Sequence, residues 1–501
     1  MHRSSGILLH PTSLPGPFGI GDIGPAARQF IDRLADAGQG LWQILPTGPT
    51  GYRDSPYQCT SALAGNPLLI SPELLLEAGW LDAADLALPA FPDERVDFGQ
   101  ASHWKRQLLE RACLHFRERA AAPAREAFDR FCAEHRAWLD DYATFSALRA
   151  AHEFRPWTEW PEALALRDDA ALSAWLGEHA HEVDRERFIQ FVFYTQWQQL
   201  RDHAAQRGIR LIGDMPIFLA HDSSEVWTHR EWFHLDPHGE PTVVAGVPPD
   251  YFSATGQRWG NPLYDWERLA ADNYALWVNR MQGALELVDL IRIDHFRGFA
   301  ACWEIPASEP TALHGRWVQG PGMHFFDALK ESIGENLHLI AEDLGLITED
   351  VEALRDALGV PGMAVLQFAF EDIEDGYGRS HYLPHHHRRT LCTYTGTHDN
   401  DTVRGWWNER RESERAPVRR YLRAGDEDIH WGFIRANLGS VADLAVIPLQ
   451  DLLGLGSEAR MNTPGTEEGN WSWRVSESQL AAADWNRLRE LSRLYGRSAA
   501  V

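Results

Sequence analysis

The chain of 501 residues carries 47 lysines and arginines against 72 aspartates and glutamates, for a formal net charge of −25. Nucleic acid and anionic membrane would repel such a chain, which excludes both as main partners and leaves a neutral substrate as the better fit. Its 44% hydrophobic and 24% charged residues are those of a soluble globular protein long enough to build a large core.

The first strand is predicted over residues 6–9, followed by a Pro/Gly-rich turn. Residues 25–37 have helical spacing through Ala26, Phe30, Ile31 and Leu34, with Pro25 in the first turn. Residues 41–46 read as the second strand, and strand–helix–strand is the opening of parallel α/β winding. That rhythm then breaks. A polar loop from Tyr52 leads into a mostly helical tract that reads as an inserted subdomain over about 68–186. An amphipathic helix over 188–206 returns the chain to the winding.

Strand three covers 209–218 and holds Asp214. Beyond it, residues 220–275 show little regular patterning. A loop this long inside a domain is usually functional, and its aromatic content points to a lid. Strands four to eight are predicted over 288–294, 337–345, 363–370, 391–400 and 445–449, the last after a helix around 429–437. Eight such units fit one (β/α)8 TIM barrel domain spanning 1–501, with the helical insertion between strands 2 and 3 and the lid after strand 3.

Strand four inserts Arg292 and Asp294 into the aliphatic run Leu290, Ile291, Ile293 expected of a buried parallel strand. Side chains alternate along a strand, so the two charges share a face. A charged pair there is costly unless the charges meet each other or a ligand. Two readings stand open: a buried ion pair that holds the fold, or chemistry at the C-terminal end of a barrel strand.

Asp294, Glu342 and Asp399 each follow an apolar run. Singly, each is as well explained as a helix N-cap or a surface acid. Together they match glycoside chemistry, which sets a carboxylate on one side of the anomeric carbon and a carboxylic acid on the other. A third carboxylate can hold hydroxyls and favour the positive transition state.

Five scattered cysteines (Cys59, Cys113, Cys132, Cys302 and Cys392) form no CxxC pair. They read as reduced thiols in a cytoplasmic protein. No signal peptide or membrane-spanning apolar run is visible. The 21 tryptophans have two readings: tryptophan at this level accompanies sugar stacking, although large cores also consume it. His385-His386-His387 lies in a Pro/Arg-rich loop without an acidic partner, so no metal is expected there. No P-loop, GxGxxG, HExxH or GxSxG pattern supports a nucleotide, metal or serine-based chemistry.

The segments Asp214-Met215-Pro216-Ile217-Phe218, Arg292-Ile293-Asp294-His295-Phe296-Arg297-Gly298, Ala341-Glu342-Asp343-Leu344-Gly345 and Gly396-Thr397-His398-Asp399-Asn400 closely resemble signature regions of the amylomaltases. These are 4-α-glucanotransferases of the α-amylase clan. Asp54-Ser55-Pro56-Tyr57-Gln58, the loop over 248–265, Met461-Asn462-Thr463-Pro464-Gly465 and Asn470-Trp471-Ser472-Trp473-Arg474 resemble further signatures. Cys59 and Leu63 depart from the expected pattern near Tyr57. The likeness runs from about residue 6 to 474.

The resemblance implies retaining transfer of α-1,4-glucan segments from maltooligosaccharides, starch or glycogen to the 4-hydroxyl of another glucan, without a cofactor. By it, Asp294 is the nucleophile, Glu342 the general acid/base and Asp399 the transition-state stabiliser. Asp214, Arg292, His295, His398 and Asn462 contact the sugar, and Tyr57 and Gln257 hold units to either side. Tyr251, Phe252 and Trp259 form a lid that excludes water and stacks the acceptor. Arg292 should keep Asp294 ionised, whereas the surroundings of Glu342 should raise its pKa so that it carries a proton. No β-sandwich is expected after the barrel. Taken without their acidic neighbours, His295 and His398 read as satisfied interior histidines and the lid aromatics as packing. Hydrolysis on the same scaffold and non-catalytic glucan binding are the rival readings, and the sequence leaves the oligomeric state open.

Overall fold

The computed structural model describes residues 3–249, 253–371 and 380–498. Within them the apolar runs become strands β1 (Ser4–Leu8), β2 (Leu41–Gln43), β3 (Arg210–Pro216), β4 (Val243–Val247), β5 (Gln257–Pro262) and β6 (Leu290–Asp294). They continue as β7 (Ala301–Pro306), β8 (Arg316–Gln319), β9 (Leu339–Ala341), β10 (Gly362–Val365), β11 (Leu391–Tyr394) and β12 (Leu444–Pro448).

Eight of these form one sheet in the order β10-β11-β12-β1-β2-β3-β6-β9, with every pairing parallel. The two ends of that order also meet. Ala341 N donates to Pro361 O at 2.8 Å, and Met363 N donates to the Asp343 carboxylate at 2.7 Å. Gly362 permits the second bond, because a Cβ there would lie 2.4 Å from Asp343 Oδ2. The sheet therefore curls into a barrel, as the eight predicted units require.

Barrel strands are buried on both faces, which explains their near-continuous hydrophobicity. Leu8, Leu41, Ile212, Leu290, Ile340 and Val446 fill the interior. The alternate residues Ile7, Trp42, Leu211, Ile291 and Leu339 face the surrounding helices. Toward the C-terminal rim the interior turns polar: Tyr394 Oη donates to Gln43 Oε1 at 2.9 Å, and the Asp214 and Arg292 side chains lie above.

Between β2 and β3 run helices Phe98–Arg119, Ala122–Glu134, Arg136–Ala151, Asp169–Glu178 and Ala180–Gln206. Phe116, Phe128, Phe131, Phe188 and Phe191 pack against one another where these helices meet. From the last helix, two buried glutamines reach the chain that follows the Tyr57 loop. Gln190 accepts from Gly65 N at 2.7 Å and donates to Gly65 O at 3.0 Å. Gln196 does the same to Ser71, at 2.7 and 3.1 Å. A side-chain amide offers the donor–acceptor pair of a peptide, so each glutamine stands in for a missing strand partner.

Three sequence expectations need correction. The lid region is not patternless: β4 and β5 join β7 and β8 in a four-stranded antiparallel sheet of order β5-β4-β7-β8. Besides its hairpin mate β5, β4 pairs with β7, which lies beyond β6 in sequence, so no local pattern announces that pairing, and Pro248-Pro249 disguises the end of β4. Predicted strands five, six and seven are too long, since β9, β10 and β11 stop at Ala341, Val365 and Tyr394. Their C-terminal halves, polar after β9 and β11 but largely apolar after β10, leave the ladder. Finally, Trp42, Trp157, Trp197, Trp227 and Trp277 are fully buried, so much of the tryptophan serves the core.

Among the described residues no helix is long and apolar enough to cross a membrane, and all five cysteines are free thiols.

Candidate active site

Parallel winding brings the C-terminal ends of all eight strands to one rim. The β3–β6 register sets Arg292 beside Asp214 and Asp294 beside Pro216. Arg292 Nη1 donates to both oxygens of Asp214 at 2.7 Å and to Asp294 Oδ1 at 3.0 Å. The Asp214 side chain is completely buried, whereas that of Asp294 is 30% exposed. Burial opposes the guanidinium charge, but the carboxylates of Asp214 and Asp294 outweigh it and hold Arg292 protonated. The two readings of strand four are thus compatible. Asp214 completes the buried ion pair, and Asp294 is left at the mouth.

Immediately after β6, His295 turns the chain with φ of 55°, in the left-handed region that few non-glycine residues occupy. The turn aims its N–H at Glu342, 2.6 Å from Oε2, while Leu344 N donates to Oε1 at 2.9 Å. Burial first, and then the negative charge of Asp294, push the Glu342 carboxyl up to about 7 against the pull of Arg292 and the two N–H groups. The His295 ring is driven the opposite way. Burial, aided by Arg297, lowers it to about 3, so the imidazole is neutral. Its buried Nε2 has no hydrogen-bond partner among the described residues, and its ring meets Trp259 edge-on with centroids 4.7 Å apart.

The loop after β11 supplies the third carboxylate. Asn462 Nδ2 donates to Asp399 Oδ1 at 2.6 Å, and His398 Nε2 lies 3.4 Å from Oδ2. Burial alone would raise Asp399. The charge and hydrogen bond of His398, the bond from Asn462 and the charge of Arg292 outweigh it and hold the carboxyl well below the usual range. Burial would lower His398, yet Asp399 lifts it above the ordinary histidine value. Tyr57 joins the two halves of the site: its hydroxyl donates to Asp214 Oδ2 at 2.9 Å and lies 3.3 Å from His398 Nδ1. Its ring stacks on His398 at 4.9 Å.

One connected set of contacts therefore includes Tyr57, Asp214, Trp259, Arg292, Asp294, His295, Glu342, His398, Asp399 and Asn462. Among the described residues Gln257 enters through Trp259, whose Nε1 donates to Gln257 Oε1 at 3.2 Å. Tyr251 and Phe252 lie outside the described residues. Neither histidine reading from sequence is complete: His398 is charge-paired, and His295 keeps one nitrogen unmatched.

Three residues of the site were not singled out from sequence. Trp471, with φ of 62°, has its ring 5.8 Å from Tyr57 and 5.9 Å from His398. Arg460 donates to Asp399 O and to Asn462 O, both at 2.7 Å. Arg297 donates to Leu346 O and lies 3.9 Å over the Trp317 ring, linking the loop after β9 to β8. Trp471 and Arg297 fall within the signature segments and Arg460 abuts one. That placement was the available signal, since none of the three belongs to a periodic pattern.

The histidine run is otherwise engaged. His387 bonds Ser440 Oγ at 2.7 Å and Tyr382 O at 2.9 Å, and His385 bonds Tyr421 Oη at 2.9 Å.

A parallel barrel that gathers carboxylates at one rim, from β3, β6 and the loops after β9 and β11, is a scaffold suited to glycoside chemistry. Amylomaltase from Streptococcus agalactiae, solved in complex with acarbose, superposes with a TM-score of 0.95 at 37% identity, over 99% of this chain and 100% of that one. Residues 9–480 match the model of the 4-alpha-glucanotransferase family, and the chain belongs to that family. It is 51% identical to the 4-alpha-glucanotransferase of Thermus thermophilus, over 98% of each chain. The chloroplastic/amyloplastic 4-alpha-glucanotransferase of Solanum tuberosum is 44% identical, over 99% of this chain and 86% of the relative.

Proposed function

We propose that this chain transfers α-1,4-glucan segments between maltooligosaccharides, or longer chains such as starch and glycogen, by a retaining double displacement. In the first step an Asp294 carboxylate oxygen attacks the anomeric carbon while Glu342 gives its proton to the departing 4-oxygen. The C–O bond breaks and a β-glucosyl ester forms on Asp294. In the second step the 4-hydroxyl of an acceptor attacks that carbon and returns its proton to Glu342 as the ester bond breaks. Two inversions leave an α-linkage.

One observation carries this reading: Glu342 retains a proton up to about 7 while its carboxyl is held by the N–H of the residue next to Asp294. Asp399, kept anionic by His398 and Asn462, serves the positive charge of the transition state and the hydroxyls of the transferred sugar. Neutral His295, whose Nε2 has no partner among the described residues, suits a sugar hydroxyl, as does Tyr57. Trp259 and Gln257, on β5 at the edge of the antiparallel sheet, suit the acceptor side, where stacking keeps water from the ester. The five free thiols favour a reducing compartment such as the cytoplasm.

Incubation with pure maltotriose tests the function. Glucose and longer maltodextrins should accumulate with little rise in total reducing ends. A steady rise in reducing ends without longer products would establish a hydrolase instead. Asp294→Asn should abolish both product series, and parental activity in that variant would remove Asp294 from the mechanism.

A further inference from the structure

We infer that Asp451 is a positioning residue for the transfer reaction, its buried carboxylate clasping both ends of the loop that presents His398 and Asp399. The inference rests on the role proposed above for Asp399. Asp451 sits on the short helix Leu449–Leu453 after β12 and is 1% exposed. Its Oδ2 accepts from Thr395 Oγ1 at 2.5 Å, and its Oδ1 accepts from Val403 N at 2.7 Å. Thr395 directly follows β11, and Val403 opens the helix Val403–Glu409. Residues 396–402 are therefore a loop pinned at its base by one carboxyl group. Because β12 is the neighbour of β11 in the barrel, the pin fixes the loop relative to the adjoining strand.

Above this base the loop is held from within and from its far side. Asn400 Oδ1 accepts from Thr397 N at 2.8 Å and from Thr397 Oγ1 at 2.9 Å. Gln367 Nε2 donates to Asp401 O at 2.8 Å, and Ser457 Oγ donates to Asp401 Oδ2 at 2.6 Å. With both ends fixed, Asp399 has little freedom to drift from the sugar.

The chemistry of Asp451 argues against a purely stabilising role. Its partners among the described residues are one hydroxyl and one peptide N–H, and neither is charged. Burial lifts the carboxyl to about 6 and the charge of Asp401 adds to this, against the two hydrogen bonds. A carboxylate buried without a cation costs stability that a well-packed apolar side chain would not. What it supplies is two acceptors at a fixed separation, matching two donors on either side of the loop.

Double-mutant kinetics on the full chain with maltotriose tests this. Asp399→Asn alone should lower kcat strongly; parental activity there would defeat the role proposed for Asp399, and that failure is visible before Asp451 is touched. Given that loss, Asp451→Ala and Thr395→Val in the parent should each lower kcat by about 10- to 100-fold, with KM changed less than about twofold. In the Asp399→Asn background the same changes should cost less than about threefold, because the residue they position is already disabled. Asp451→Asn should recover most of the rate. Its amide oxygen still accepts from Val403 N, and the Thr395 hydroxyl can turn to accept from the amide. Thr395→Val keeps side-chain shape and gives the answer even if Asp451→Ala does not fold. Losses that multiply equally in both backgrounds, or an Asp451→Asn variant as slow as Asp451→Ala, would overturn the inference.

Discussion

The main-chain N–H of His295 donates to Glu342 at 2.6 Å, so the residue following Asp294 in the chain holds the very carboxyl that Asp294 charges against. Attack and proton transfer are thereby set by one turn of backbone.

Glu342 sets a pH limit. Transfer should decline as pH rises through about 7, because the first step needs the protonated acid and the carboxyl is pushed up to about 7. Glu342→Gln should lose this alkaline limb and fall by about 10²- to 10⁴-fold with maltotriose. A donor with a fluoride leaving group, which needs no proton, should recover its first step. Stability should fall over the same pH range. A carboxyl raised on folding contributes stability below its unfolded value, and that contribution is lost as pH rises through the folded value. Relative to the parent, Glu342→Gln should therefore gain melting temperature between pH 4 and pH 8, by on the order of 2 °C, on top of a pH-independent loss, because its amide can accept only one of the two N–H bonds. Calorimetry at the two pH values checks it.

Arg292 makes the strongest structural prediction. Its replacement by Met strands Asp214, whose side chain is wholly buried, as an uncompensated charge. The loss should be about 3–5 kcal/mol by urea unfolding. Replacing both partners, as Arg292→Met with Asp214→Leu, should return much of that stability while activity stays lost. If the double variant is no more stable than the single one, the pair is not a simple desolvated ion pair.

Asn462 tunes Asp399. Asn462→Ala removes the 2.6 Å bond to Asp399, which favours the charged form. Transfer should drop about tenfold, and its acid limb should move to higher pH, since Asp399 then takes up a proton more readily. Asn462→Asp should move the limb further by adding a second negative charge. An unchanged acid limb in both variants would separate Asp399 from that limb.

Trp259 separates transfer from hydrolysis. With its ring edge-on to His295 at 4.7 Å, Trp259→Ala opens the acceptor side to water. The ratio of new reducing ends to bonds rearranged should rise several-fold, with cleavage of maltotriose less affected. A ratio equal to the parent's would place the barrier to water elsewhere.

The barrel was legible in the sequence because parallel strands are buried on both faces and appear as continuous aliphatic runs, such as Ile7 to Leu9 or Ala445 to Ile447. The rim was harder to delimit. Predicted strands ran on through Glu342 and Asp399, since nothing local marks where the ladder bonds stop at Ala341 and Tyr394. The acids themselves stood out as charges following apolar runs, and the resemblance to a known family gave them an order. Arg460 and Trp471 were not separable from their neighbours, because their value lies in contacts with residues more than 60 positions away, as in the Arg460–Asp399 bond. The antiparallel sheet failed to register for the same reason: β4 pairs with a strand beyond β6.

That small sheet has an outcome for how the molecule is made and remade. Its hairpin at β4 and β5 leaves the ribosome before the segments that complete it, and those segments follow only once β6 has been synthesised. This wall of the site, which carries Trp259 against His295, is consequently complete only once β8 has been made. Anyone exchanging this wall between relatives to alter acceptor choice has to transplant both flanks of β6 as a unit, since either flank alone arrives without its mate.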